Sequence, residues 1–275
     1  MKRLSSVLML VMALALFLSF GSALKADTLE DIKAKGVLVA GVKDAVVPFG
    51  FVDEKTKELV GFDVDICKEI ATKLGVEIEL KPVTSATRIP KLSQGMVDLA
   101  ACTMTHKLSR DDVIDFSITY FMDGQKLLVK KGSGIKSYHD LAGKKVGSAK
   151  GSTSEKNIKE VQPDCTVLSF EGYPQAFLAL KQGKVSAVTT DSVILVGLKG
   201  SDDNPDNWEI VGDFFAKEPY GIGVRENDSN FRDFVNRCLI EMWNDGTYKK
   251  IYNKWLGPDT KYYMPLTWEM ETFPE

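Results

Sequence analysis

An α/β protein of two units with a cleft between them is the fold class that this 275-residue sequence predicts. Three observations carry the expectation. Short apolar runs alternate with stretches whose apolar residues recur every three or four positions, the pattern of strands feeding helices in a largely parallel sheet. That alternation runs to about residue 102, and a second round begins near residue 139. No low-complexity stretch or long linker separates the rounds. The units must therefore pack closely, and ligands of such sheets lie outside the carboxyl ends of the strands.

In chain order, Val37–Ala40 is a strand ending at Gly41, and residues 42–51 are a loop containing Pro48. Residues 59–63 lead into a helix whose Cys67, Ile70, Ala71 and Leu74 share a face. Gly75 closes it, because glycine accepts the left-handed conformation after a last helical turn. A strand at Val76–Leu80, a helix carrying Ile89, Leu92 and Met96, and a strand at Val97–Cys102 follow. The second round has a helical turn at His139–Ala142, a strand at Lys145–Ser148 and a helix from Ser152. It continues with a strand at Thr166–Phe170, a helix at Pro174–Gly183 and a strand at Ala187–Thr190. The tail is helical, with Phe231, Phe234, Val235, Cys238, Leu239 and Met242 on one stripe and Tyr248, Ile251, Tyr252 and Trp255 on another. Asp245-Gly246-Thr247 divides the two, with Thr247 expected as N-cap.

The N-terminus speaks to the compartment. Met1-Lys2-Arg3 is basic, Val7–Phe20 is a nearly continuous apolar run, and small residues follow at Gly21, Ser22, Ala23 and Ala26. That is the layout of a cleavable secretory signal, and the run is short of the ~20 residues a bilayer crossing needs. Residues 1–26 are expected to be a signal peptide cut after Ala23 or Ala26, leaving an exported protein with no membrane-embedded part.

Composition narrows the function classes. With 44% apolar and 27% charged residues the chain is ordinary globular material. Without Lys2, Arg3 and Lys25, 32 bases face 38 acids, a net charge of −6. That balance argues against nucleic acid, whose binding depends on cations neutralising phosphates. His106 and His139 are the only histidines, so a multi-histidine metal site is excluded and a histidine acid–base centre disfavoured. Cys67, Cys102, Cys165 and Cys238 are far apart and form no C-x-x-C motif. Export permits disulfides in any of three full pairings, and buried free thiols are the alternative. G-x-S-x-G and the phosphate-binding G-x-x-x-x-G-K-[ST] are both missing, and Tyr220-Gly221-Ile222-Gly223 does not complete a dinucleotide fingerprint. The acid pairs Asp63/Asp65 and Asp111/Asp112 do not share a helix face and are expected to be solvated or capping. No catalytic centre, metal or cofactor is expected.

Three helix starts look suited to an anion instead. Pro90 fixes one near Thr87, because proline is tolerated where its missing N–H has no partner. Arg88 then lies in the first turn, where a cation opposes the helix dipole, a broken local rule of the kind that marks function. Thr103-Met104-Thr105 ends a strand, and Ser109 with Asp112 looks like a cap that puts Arg110 at a second helix start. Gly151-Ser152-Thr153-Ser154-Glu155 is a strand–glycine–helix junction with an S-x-x-E cap and free N–H groups. A small carboxylate or phosphate ligand fits all three.

The residues then resemble a known family. Gly61-Phe-Asp-Val-Asp-Ile-Cys-Lys-Glu-Ile70 is similar to the signature of the family 3 periplasmic solute-binding proteins of polar amino-acid ABC importers. The resemblance extends through Gly95–Asp98, Thr103–Arg110, Gly151–Ser154, Val188–Asp191, Tyr220-Gly221 and Gly246–Trp255. Within the family, Thr84–Pro90, Pro205–Val211 and Glu218-Pro-Tyr-Gly221 look most like the glutamate/aspartate-binding proteins.

The resemblance implies a two-lobed periplasmic-binding-protein fold of type II, with two crossover strands. Lobe one would comprise residues 27–121 and 216–275, and lobe two residues 122–215. A monomeric periplasmic receptor would capture L-glutamate or L-aspartate and deliver it to an inner-membrane ABC permease. Arg110, Thr105, Ser152 and Thr153 would hold the α-carboxylate, Asp191 and Thr103 the α-ammonium, and Arg88 with Lys43 the side-chain carboxylate. Ser85, Tyr173 and Tyr220 would complete the ligand-binding set. The alternatives are a receptor for another polar amino acid (Gln, Arg or His) and a cyclohexadienyl or arogenate dehydratase on the same fold. The enzyme would need a general acid, and no carboxylate beyond Asp191 suggests itself.

Overall fold

The computed structural model describes residues 27–273, so the expected signal peptide lies outside the described residues. The chain runs α1 (Thr28–Lys35), β1 (Val37–Val42), β2 (Ala45–Val46), β3 (Gly50–Val52), β4 (Leu59–Val60), α2 (Phe62–Leu74), β5 (Glu77–Pro82), α3 (Arg88–Ser93), β6 (Leu99–Ala100), α4 (Leu108–Asp111) and β7 (Ile114–Lys130). After a single turn at Tyr138–Leu141 it continues through β8 (Lys145–Ala149), α5 (Thr153–Val161), β9 (Thr166–Phe170), α6 (Tyr173–Lys181), β10 (Ala187–Asp191), α7 (Ser192–Gly200), β11 (Trp208–Val211), β12 (Lys217–Arg225), α8 (Ser229–Asn244) and α9 (Thr247–Leu256).

Nine strands form one mixed sheet in the order β5-β1-β6-β12-β7-β10-β8-β9, with β11 also on β7, while β2, β3 and β4 pair separately. The pairing divides at the middle of β7. Its residues 114–124 lie antiparallel to β12, and its residues 125–130 pair with β10 and β11. Two lobes result, sharing one strand. On either side the parallel pairs β1·β5 and β8·β9 keep their carboxyl ends toward the junction, where ligands of such sheets bind.

The first lobe is held by aromatic packing directly beneath that junction. Phe62 lies edge-on to Phe121, with ring centroids 5.6 Å apart, and Phe49 to Phe121 at 5.0 Å. Tyr120 and Tyr220 share the cluster and are fully buried. Buried tyrosine hydroxyls need partners, and here both are aimed at buried acids. The turn before α2 depends on Gly61, whose φ is 140° and whose missing side chain lets the Phe62 and Asp63 N–H groups reach the Pro48 and Phe49 carbonyls at 2.9 Å. Any Cβ at Gly61 would run into the Phe49 carbonyl.

Beyond Leu256 the chain is extended and packs back on the first lobe. The Tyr252 hydroxyl donates to the Met264 carbonyl at 3.1 Å, and Trp268 stacks near Trp243 with centroids 5.6 Å apart. On its way it touches the second lobe, where Lys261 Nζ donates to the Gly200 carbonyl at 3.2 Å. No helix among the described residues is long and apolar enough to cross a membrane. The four cysteines are buried and unpaired.

Four local expectations need correction. α3 stops at Ser93, so Met96 lies outside it and is 53% exposed. Ser109 lies inside the four-residue α4 and caps nothing, because the helix starts after an extended Lys107. Gly246, in the left-handed region, takes the N-cap expected of Thr247, whose N–H bonds Asp245 Oδ1 at 2.8 Å. Asp63 is neither solvated nor a cap. It is fully buried, held by the Thr103 N–H at 3.0 Å and the Tyr120 hydroxyl at 2.8 Å.

Candidate functional site

The predicted residues converge from both lobes. Lys43 follows β1, and Ser85 and Arg88 stand between β5 and the first turn of α3. Thr103 and Thr105 follow β6, and Arg110 is on α4. From the second lobe come Ser152 and Thr153 at the start of α5, Tyr173 at the start of α6 and Asp191 at the end of β10. Tyr220 reaches in from β12, and all of these residues except Arg110 are buried. Arg88 is 2% exposed, so its guanidinium is withdrawn from bulk solvent.

The first lobe's half is a cationic pocket. Arg88 Nη1 donates to the Cys102 and Thr103 carbonyls, both at 2.9 Å, while its buried Nε has no hydrogen-bond partner. Lys43 Nζ donates to Ser85 Oγ at 2.9 Å. Burial, then the Arg88 charge, lowers the Lys43 ammonium to about 7. Burial raises Asp63 to about 7, against the pull of its Tyr120 and Thr103 hydrogen bonds. Thr103 has φ of 50°, a left-handed conformation that is a genuine outlier for a β-branched residue. Its N–H bond to Asp63 and its carbonyl bond to Arg88 hold that strained turn, as strain at functional sites requires.

The second lobe's half is acidic. Asp191 Oδ2 accepts from the Tyr220 hydroxyl, and its buried Oδ1 has no partner. Burial first, then Glu218 and Asp123, hold this carboxyl well above the usual carboxylate range. Burial and then Asp191 raise the Tyr173 phenol, which stays neutral. Ser152 Oγ accepts from the Glu155 N–H at 3.1 Å, making the expected cap, while Glu155 Oε2 reaches back to the Gly151 N–H at 3.0 Å.

Between the halves, Arg110 Nη1 donates to the Thr105 carbonyl at 2.6 Å, with its guanidinium lowered to about 10 by burial and then by Arg88. The lobes touch here. The Thr105 and Thr153 hydroxyls are 3.3 Å apart, and a Cβ on Gly151 (φ 77°) would lie 2.9 Å from Ala86 Cα. A cavity of about 250 Å³ persists between them, lined by Lys43, Thr84 and Ser85 on one side and Ala149, Tyr173 and Gln175 on the other. A larger one of about 800 Å³, bordered by Phe51, Phe177, Leu198 and Tyr262, contains none of the predicted residues.

Sequence reasoning missed two groups. Asp63 sits in the signature segment, and an acid flanked by Phe62 and Val64 just after Gly61 was the available signal. Glu218 is fully buried on β12 and joins both lobes: one oxygen accepts from Thr105 and from Thr153 (2.9 Å), the other from Asn157 at 2.9 Å. An acid next to Pro219 inside an otherwise apolar strand was the hint.

Residues 38–258 match the bacterial extracellular solute-binding proteins, family 3. The chain belongs to that family. This solute-binding protein is 46% identical over 239 residues, 86% of either chain, to the ABC transporter glutamine-binding protein GlnH of Bacillus subtilis strain 168. It is 33% identical over 261 residues, 90% of this chain and 86% of the other, to the glutamate/aspartate import solute-binding protein of Salmonella typhimurium strain LT2. An ancestral arginine-binding protein solved bound to glutamine superposes with a TM-score of 0.77 at 45% identity, covering 81% of this chain and 98% of that one. The two-lobed fold is thereby established. The expectation of a nearest likeness to the glutamate/aspartate group is corrected, because the glutamine-binding relative is 13 points more similar (46% against 33%).

Proposed function

We propose that this solute-binding protein closes over a polar α-amino acid, L-glutamine foremost, and delivers it to an ABC permease. One observation carries the reading. Each lobe brings a buried, unpartnered polar atom to the junction, the donor Arg88 Nε from the first and the acceptor Asp191 Oδ1 from the second. Buried polar atoms without partners are rare, and such groups at a cleft suggest a ligand that completes them. Asp191 and Thr103 would take the ammonium, whose arrival restores the ionised carboxylate. Arg110, Thr105 and the start of α5 would take the α-carboxylate, and Arg88, Lys43, Ser85 and Tyr173 the side-chain end. The 46% identical relative is named for glutamine, which supports the amide ligand.

A second reading, L-glutamate, is favoured by Lys43 and Arg88, two buried cations that form no ion pair among the described residues. The same proposal takes the protein to be a monomer working outside the cytoplasmic membrane, with lobes 27–121 plus 216–275 and 122–215. It takes the protein to be a receptor and not an enzyme, in keeping with relatives named for transport.

Titration calorimetry on refolded, ligand-stripped protein tests it with L-Gln, L-Glu, L-Asp, L-Arg and L-His. Micromolar or tighter binding of Gln or Glu is the expected result. Arg88→Ala is expected to weaken Glu more than tenfold with a cooperative melt retained, since charge-assisted hydrogen bonds contribute ~1.5–3 kcal/mol. Equal or tighter binding of L-arginine would overturn the roles of Arg88 and Lys43, which would then face a third cation.

A further inference from the structure

Amide and carboxylate readings meet at one side chain. Lys43 is 4% exposed and lines the inter-lobe cavity, and its Nζ has a single hydrogen-bond partner, Ser85 Oγ. The charged and titratable groups that face it come from every neighbouring element: Asp44 on its own segment, Asp63 from α2, Arg88 from α3 and Cys102 after β6. Glu171 and Tyr173 line the same cavity from the second lobe. Burial raises Cys102, which stays a neutral thiol, and Tyr173 likewise stays a phenol. Asp44 and Glu171 are exposed to solvent, so Lys43, Asp63 and Arg88 are the buried groups that set the charge around the Lys43 side chain.

We propose that the protonation state of Lys43 selects between a carboxylate and a carboxamide at the far end of the ligand, so that one cleft prefers glutamate at mildly acidic pH and glutamine at mildly alkaline pH. The inference rests on the reading that the cleft holds an α-amino acid. Its chemistry is a matter of donors and acceptors. A lysine ammonium offers three donors and no acceptor, whereas a neutral amine offers a lone pair. With Lys43 protonated, Lys43 and Arg88 present only N–H donors, which is what a carboxylate needs. With Lys43 neutral, its nitrogen can accept from the amide NH₂ while Arg88 Nε donates to the amide oxygen.

The electrostatics point the same way. Lys43 and Asp63 both titrate at about 7. Below that, ammonium, carboxylic acid and guanidinium carry two positive charges. Above it, amine, carboxylate and guanidinium carry none. Binding a carboxylate in the first state keeps a charge balance that the second cannot provide, so glutamate binding above neutrality must take up a proton at Lys43. Glutamine needs none. The ligand's own side-chain carboxyl, near 4.3, stays ionised throughout this range.

The test measures the dissociation constants of L-Glu and L-Gln on ligand-stripped full-length protein from pH 5.5 to 8.5. The ratio of Glu to Gln dissociation constants is expected to rise about tenfold per pH unit above neutrality, the slope of one linked proton. Lys43→Arg, charged throughout, leaves only Asp63 to titrate and is expected to make the ratio clearly less pH-dependent than the wild type's and to keep glutamate preferred at pH 8.5. Lys43→Met, never charged, should flatten it in favour of glutamine, and a thermal melt of each variant checks folding. A wild-type ratio constant within threefold overturns the inference, as does a Lys43→Arg slope equal to the wild type's. A protein that binds neither amino acid at any pH removes the underlying reading, a distinguishable outcome.

Discussion

Asp191→Asn should weaken amino-acid binding at least 30-fold and at the same time raise the melting temperature of the ligand-free protein. The two effects share a cause. Asp191 is buried, one oxygen lacks a partner, and Glu218 and Asp123 oppose its charge. A folded-state pKa above the unfolded one means stability present at low pH is lost as pH rises past the ordinary aspartate value, near 3.9. At pH 7 the wild type carries that cost and the uncharged amide does not. The gain in melting temperature should shrink toward zero as the pH falls to about 4. Binding suffers because truncating one partner of a buried charge pair costs ~2–5 kcal/mol, which is 30-fold or more in affinity. Calorimetry and a melt on the same sample decide it. An Asp191→Asn protein that binds like the wild type removes Asp191 from the ligand, and one that melts lower means the carboxyl is stabilising.

Glu218→Ala is expected to loosen the closed arrangement. Glu218 accepts from Thr105 in one lobe and from Thr153 and Asn157 in the other. Without it, three buried donors lose an acceptor, and each unsatisfied group costs ~1–3 kcal/mol. The melting temperature should fall by several degrees, at roughly 2–4 °C per kcal/mol for a chain of this size. The radius of gyration of the ligand-free protein should grow in small-angle scattering. Glu218→Gln keeps one carbonyl acceptor and should fall between the two. A Glu218→Ala protein with unchanged melt and scattering would deny the carboxylate any part in holding the lobes.

The helices and outer strands were legible because their physics is local. Gly75 ends α2 in the left-handed region, as its position after Leu74 implies, and the Ser152 cap of α5 needs only residues three apart. Arg88 was found by the rule it breaks. Strand β7 was not legible, because its apolar alternation is interrupted at Ser117, Asp123 and Gln125, all buried. Those side chains are satisfied from far away: Ser117 Oγ accepts from the Ile222 N–H, and Asp123 from Ser192 and Val193. α7, Ser192–Gly200, is apolar on nearly every side and shows no helical stripe. Asp63 is the plainest case. An acid in a first turn is ordinarily a solvated partner of the helix dipole, and what buries this one is Thr103 and Tyr120, 40 and 57 residues along the chain. The acidic-ligand expectation has the same limit: in the sequence Lys43 and Arg88 read as two cations, and the lowering that burial imposes on Lys43 is not visible there.

The long strand has a thermodynamic corollary. β7 belongs to both halves of the nine-stranded sheet, paired with β12 along one stretch and with β10 and β11 along the next. Neither lobe can melt without stripping hydrogen bonds from the other's central strand. Scanning calorimetry should therefore record a single transition whose calorimetric and van't Hoff enthalpies agree, the signature of all-or-none unfolding. The two lobes are built on one strand, and they are lost together when the protein is heated.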